Sequence, residues 1–170
     1  MEGFNTSDSK HDQRLGEDIR NIYDEPMLDT RLINVGDLGK LIISFLLAFP
    51  IGWDRELEDR TAGLRTFPIV SLGSCGLILV ANALTKGDPA STSRVLQGLV
   101  TGIGFVGGGA ILKSEKTVHG TATAASIWNM AVVGTATALG HYDIAVVLVL
   151  INFFCLRLLL PFKKQLDRKS

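Results

Sequence analysis

The sequence predicts an all-α, polytopic integral membrane protein with five transmembrane helices. Two observations carry this. The runs FPIVSLGSCGLILVANAL (67–84), VLQGLVTGIGFVGGGAIL (95–112), TATAASIWNMAVVGTATAL (121–139) and IAVVLVLINFFCLRLLLPF (144–162) hold one charged residue between them, Arg157. A spanning helix needs about 20 mostly apolar residues. These runs also lack the polar stripe, at a period of about 3.6 residues, that a soluble bundle would show.

The elements follow in order. Residues 1–36 form a polar tail, expected to be disordered. Its first 32 residues hold eight acids and four bases, a net charge of −4 that leaves +4 for the remainder. The first span, LIISFLLAFPIGW (41–53), is short. It reaches membrane length only by extending back past Lys40, whose ammonium can snorkel to the headgroups, and forward into charged sequence. Pro50 predicts a kink near its end. A cleaved signal peptide is a poor fit, because the run starts late and Asp54 and Arg55 stand where small residues would be needed.

Glycine dominates the third span. At about 100° per residue, Gly98, Gly102 and Gly109 share one face, and Gly104, Gly107 and Gly108 a broad opposite one. Small residues let helix backbones approach closely in lipid, so the third helix is expected to pack between two others. The alternative is that Gly107–Gly109 unwinds around a substrate, as broken transporter helices do. In the fourth span Ala122, Ser126, Asn129, Ala136 and Gly140 lie on one face. Asn129 and Ser126 are polar groups inside the membrane that need partners; interhelical bonding is the expected role, with a substrate contact at Asn129 as the alternative. The membrane domain is placed at 37–162 and a basic cytoplasmic tail at 163–170.

Basic residues close to the spans mark the cytoplasmic side. Arg55, Arg60, Arg65, Lys113, Lys116, Lys163, Lys164, Arg168 and Lys169 all fall on one side of a five-span chain, against Lys86 and Arg94 in the loops of the other. The N-terminus is therefore expected outside and the C-terminus in the cytoplasm, in a multi-pass protein of the cell inner membrane.

GWDRELEDRTAGLRT (52–66) packs four carboxylates and three arginines behind the first apolar run. Pairs at i,i+4, Arg55 with Asp59 and Glu56 with Arg60, suit an exposed helix end. Asp54 and Arg55 suit it less, because they begin inside the boundary of a span that is already short. Ionisable groups at that depth are functional candidates. A turn at Gly63, with Pro68 opening the next helix, would return Arg65 to the surface beside the first helix end, where a carboxylate–guanidinium pair could form.

Other chemistries find no support. Cys75 and Cys155 lie inside predicted spans and are expected to be small buried residues rather than a disulfide pair. There is no zinc-type spacing, no phosphate-binding glycine loop and no basic nucleic-acid patch. Ser74, Ser126 and His119 show no catalytic spacing, so neither an enzyme nor a resident cofactor or metal is expected.

IGWDRELEDRTAGLRT resembles the G-x-E-R-E…A-G-L-R-T signature of the MgtC/SapB family of bacterial membrane proteins. GIGFVGGGAILK is similar to that family's G-[IV]-G-F-[LV]-G-[AG]-G run, and VHGTATAASIW to its V-[RH]-G-x-x-T-A-A-[ST]-x-W element. The three stand in the family's order over roughly 37–160. By position, Asp54, Arg55 and Glu56 take the place of the E-R-E triplet, with Gly63, Leu64, Arg65 and Thr66 matching in type. Gly102, Gly104, Phe105, Gly107 and Gly109 fill the second motif, and Gly120, Thr123, Ala124, Ala125 and Trp128 the third. Asp54 replaces the usual glutamate, and His119 stands where arginine is common.

The resemblance implies five spans, a cytoplasmic C-terminus and a role in coping with magnesium limitation. For pathogens it implies survival inside phagocytes. It names the proton-driven ATP synthase as a candidate partner; the lipid bilayer and a homo-oligomer are expected from the apolar spans themselves. The cytoplasmic C-terminal domain of virulence-type members is expected to be lacking. The functional expectation is a regulatory or interaction protein resting on Asp54, Arg55, Glu56, Arg65 and Thr66. The alternative is a cation transporter or channel subunit with Asp54 and Glu56 at its entrance.

Overall fold

The computed structural model describes residues 34–58, 62–113 and 118–166, with side chains as far as Leu158. All of these except Asn34 belong to one compact unit, Val35–Ser170. The acidic tail expected over 1–36 therefore lies outside the described residues up to position 33, while Val35 and Gly36 already belong to the first helix.

Five helices are described: α1 (Val35–Leu57), α2 (Thr66–Leu84), α3 (Pro89–Gly109), α4 (Thr121–Ala138) and α5 (Tyr142–Leu166). A small antiparallel hairpin, β1 (Leu112–Lys113) with β2 (Val118–His119), joins α3 to α4. α1 and α2 are each long and apolar enough to cross a membrane. α1 reaches its 23 residues by running through Pro50 and onward through Asp54, Arg55 and Glu56. The helix thus carries its charged residues on its own last turns. α5 continues past 162, so Lys163 and Lys164, assigned above to a tail, belong to its final turn.

α4 is the central element and touches each of the other four helices. It can do so because its residues are small: Thr123, Ser126, Ala131, Gly134, Ala136, Thr137 and Ala138 are all buried. Gly134 permits the tightest approach. A Cβ there would stand within bonding range of the Ser71 carbonyl oxygen and 3.1 Å from the Cys75 nitrogen, so α2 and α4 meet backbone to backbone. In lipid, dispersion contacts of this kind replace the hydrophobic drive for helix association. Ile51, Phe67, Ile127, Met130 and Val133 fill the core around it.

α3 packs between two other helices as expected, but most of its glycines do not carry the packing. It packs toward α4 through Ile103 and Gly107, and toward Cys75 and Ile78 of α2 through Val95, Leu96 and Leu99. A Cβ at Gly107 would lie 3.2 Å from the Ala124 carbonyl, but Gly98, Gly102, Gly104, Gly108 and Gly109 face open space within the chain. Branched side chains bury far more area than glycine and so determine which faces of α3 turn inward. The helix runs unbroken to Gly109, without the unwinding considered above.

Interhelical polar contacts tie the bundle. Ser126 Oγ donates to Asn152 Oδ1 at 3.0 Å and Asn129 Nδ2 to the Leu148 carbonyl at 3.3 Å, both joining α4 to α5. Ser71 Oγ donates to the Ser44 carbonyl at 3.0 Å, joining α2 to α1. Lys40 does not extend to a headgroup: its Nζ donates to the Ala138 carbonyl at 2.9 Å, at the C-terminus of α4. A cation there complements the partial negative charge of the helix end. Cys75 is buried as expected, but Cys155 is exposed.

Candidate functional site: an ion cluster joining α1 to α5

Asp54 and Arg55 sit on the last turns of α1 and are almost fully buried, their side chains 2% and 3% exposed. Arg55 Nη2 donates to Asp54 Oδ2 at 2.7 Å, and Nε reaches the same oxygen at 3.3 Å. The same Nη2 lies 3.5 Å from Glu58, one turn further on. Neighbouring residues project about 100° apart on a helix, so the two side chains bend toward each other to meet. Desolvating either charge alone would be costly, and the pairing offsets that cost.

The other carboxylate oxygen looks out of α1. Arg157 Nε of α5 lies 2.5 Å from Asp54 Oδ1. Oδ1 has no aligned hydrogen-bond donor among the described residues, so this contact is one of charge with charge. Asp54 therefore stands between two guanidinium groups, one buried and one 54% exposed. The contact joins the C-terminal part of α1 to the C-terminal part of α5.

Glu56 has a different task. Its Oε2 accepts from the Leu64 N–H at 2.9 Å, holding the turn after α1. Gly63 lies directly beneath that carboxylate, and a Cβ there would collide with it. Gly52 is packed against the same turn, where a Cβ would be 3.1 Å from Leu64 Cα. Thr66 opens α2, its N–H bonded to the Gly63 carbonyl at 3.1 Å.

The pairing considered for Arg65 does not form with Asp54. Arg65 is exposed at the N-cap of α2 and pairs with no carboxylate among the described residues. Helix geometry gives the reason. Gly52 and Glu56, four apart, share the face on which the turn 62–65 folds back. Asp54 lies midway between them in sequence and so projects from the opposite side of α1, toward α5. The i,i+4 partners Asp59 and Arg60 lie outside the described residues.

Sequence reasoning missed Arg157 as a member of this cluster. Its signal was present, since it is the one charge within four apolar runs and such a residue needs a partner. Gly134 was missed as well, although it is the one glycine inside α4. His119, exposed on β2, is not among the cluster's members. Gly120, at φ 87°, occupies the left-handed region and sits against the Ala110 carbonyl, closing the α3–α4 hairpin as only glycine can.

Comparison with known proteins adds the family context. The MgtC family model matches residues 41–165. An uncharacterized protein of Synechocystis sp. is 39% identical over 128 residues, 74% of this chain and 54% of its own length. Protein MgtC of Brucella abortus is 39% identical over 110 residues, 63% of this chain and 45% of that protein. Protein MgtC of Salmonella typhimurium is 33% identical over 133 residues, 78% and 56% respectively. The chain thus spans about half the length of these curated relatives. No solved structure matches.

Proposed function

Because the chain belongs to the MgtC family, we propose that it is a bacterial inner-membrane protein crossing the bilayer five times. In this reading it works by contact rather than catalysis, as a regulatory protein in adaptation to magnesium limitation and membrane energetics. The C-terminal ends of α1 and α5 lie on the cytoplasmic side, and the acidic N-terminal tail lies outside. The relatives named Protein MgtC and the apolar length of α1 and α2 support the membrane placement. The family role supplies the link to magnesium.

One observation favours regulation by contact over cation passage: the carboxylate of Asp54 is already held between Arg55 and Arg157. A carboxylate that greets entering cations needs a free face, whereas one that fixes two helix ends has both oxygens engaged. The cluster acts in this reading as the joint that sets α1 against α5, and so shapes the cytoplasmic surface presented to a larger membrane complex. A proton-driven ATP synthase is one candidate complex, and a second copy of this chain another.

Growth of a deletion strain at limiting magnesium tests the reading. Wild type is expected to restore growth, and the Arg157→Gln variant, at matched membrane levels, to lose most of that rescue. Normal growth of the deletion strain would remove the magnesium role.

A further inference from the structure

Asp54 and Arg55 are buried, and Glu58 is 22% exposed, so the charge the cluster turns outward most is the guanidinium of Arg157. Arg157 meets Asp54 through Nε alone, and its two terminal nitrogens have no partner among the described residues. The contact keeps the group at the seam between α1 and α5, and with 54% of the side chain exposed it stays open to the surroundings. Around it the surface is apolar. Pro50 and Leu57 lie one turn to either side of Asp54 on α1, and Phe154 and Leu150 lie one and two turns before Arg157 on α5. All four are exposed.

We infer that this seam between α1 and α5 is a binding site for an anionic phospholipid. The acyl chains lie along Pro50, Leu150 and Phe154, and the headgroup phosphate is taken by the terminal nitrogens of Arg157. The inference rests on the membrane-spanning reading above. The occupant follows from the charge: a positive fork at the end of an apolar seam complements a negative head on an apolar tail. A planar guanidinium matches phosphate oxygens two at a time, which an ammonium cannot do. Asp54 serves the lipid indirectly, by keeping the guanidinium at this seam.

The test uses the full chain reconstituted in phosphatidylcholine vesicles containing phosphatidylglycerol. The background is Trp128→Phe, so that Trp53, adjacent to Asp54, reports alone. Quenching of Trp53 by brominated phosphatidylglycerol is compared with quenching by brominated phosphatidylcholine. The expected preference for the anionic lipid is about fivefold, the effect of one cationic side chain at a charged surface. It should be lost in Arg157→Gln and reduced in Arg157→Lys, which keeps the charge but not the fork.

Equal preference in all three proteins, each with unchanged helix content, overturns the proposal. So does abolition of the preference by millimolar inorganic phosphate, which would make the site one for free phosphate. If alkaline washing strips the protein from the vesicles, the membrane-spanning reading fails and the proposal falls with it. Embedded protein without lipid preference overturns the proposal alone.

Discussion

Arg157 of α5 lies 2.5 Å from the Oδ1 oxygen of Asp54 on α1, while Arg55 holds the other oxygen of the same carboxylate. Three charges on two helices thus share one buried oxygen pair. Removing Arg55 leaves the buried Asp54 carboxylate with only the half-exposed Arg157 beside it. Arg55→Ala is expected to destabilise the protein by about 3–5 kcal/mol, the usual cost of breaking a buried ion pair from one side. Denaturant titration of the detergent-solubilised protein measures it, and a loss below about 1 kcal/mol would mean the pair is solvated and incidental.

Gly134 predicts a contrast between glycines. Gly134→Ala must separate the α2 and α4 backbones, because its Cβ would meet the Ser71 carbonyl. The expected loss is about 1–3 kcal/mol or more, as for other overpacked sites. Gly98→Ala and Gly102→Ala add a methyl into open space within the chain and should leave monomer stability unchanged or slightly raised. Thermal unfolding of the three variants side by side decides this, and equal melting temperatures would refute the close crossing.

Glu56 and Gly63 should behave as one unit. Glu56→Ala removes the acceptor of the Leu64 N–H, and Gly63→Ala pushes that same carboxylate away. Each change is expected to cost about 1 kcal/mol, the net worth of one hydrogen bond. The double variant should cost little more than either single change. Full additivity in a double-mutant cycle would show that the two positions act separately.

Asp88 carries a pH dependence at the start of α3. It is the N-cap, accepting from the Ser91 N–H at 2.8 Å. The Ser91 hydroxyl first, and the Ser91 backbone N–H second, hold its carboxyl below the ordinary aspartate value. A carboxylate with a lowered folded value stabilises the helix start above the unfolded value and loses that contribution as pH falls through the lowered one. Amide exchange at Ala90 and Ser91, corrected for intrinsic rates, should therefore quicken on acidification below the ordinary aspartate range. Asp88→Asn keeps a capping oxygen but cannot titrate, so its corrected rates should stay flat. Identical profiles for wild type and Asp88→Asn would contradict the assignment.

The helices could be read from the chain because an apolar run of spanning length admits few other structures, and α2 and α4 begin and end within a residue of the expected limits. The forward extension of the first helix into charged sequence followed from the shortness of its apolar part, and α1 runs to Leu57. The partner of Asp54 could not be read in this way. Arg65 is near it in sequence, but helix periodicity sends Asp54 and the returning turn to opposite sides of α1. Arg157 is far along the chain and becomes a neighbour only when α5 packs against α1. The glycines of α3 misled for a related reason. Their spacing marks faces that could pack, whereas of these glycines Gly107 alone is buried, beside Ile103, and the closest crossing falls at Gly134, a single glycine without a motif.

The claim that Asp54 and Arg157 act together as the working joint is tested most directly by genetic coupling. Growth at limiting magnesium would be measured for a deletion strain carrying wild type, Asp54→Asn, Arg157→Gln or the double variant, at matched membrane levels. The account predicts that each single variant loses most of the rescue and that the double variant is no worse than either. Full rescue by Arg157→Gln beside failure of Asp54→Asn would contradict it.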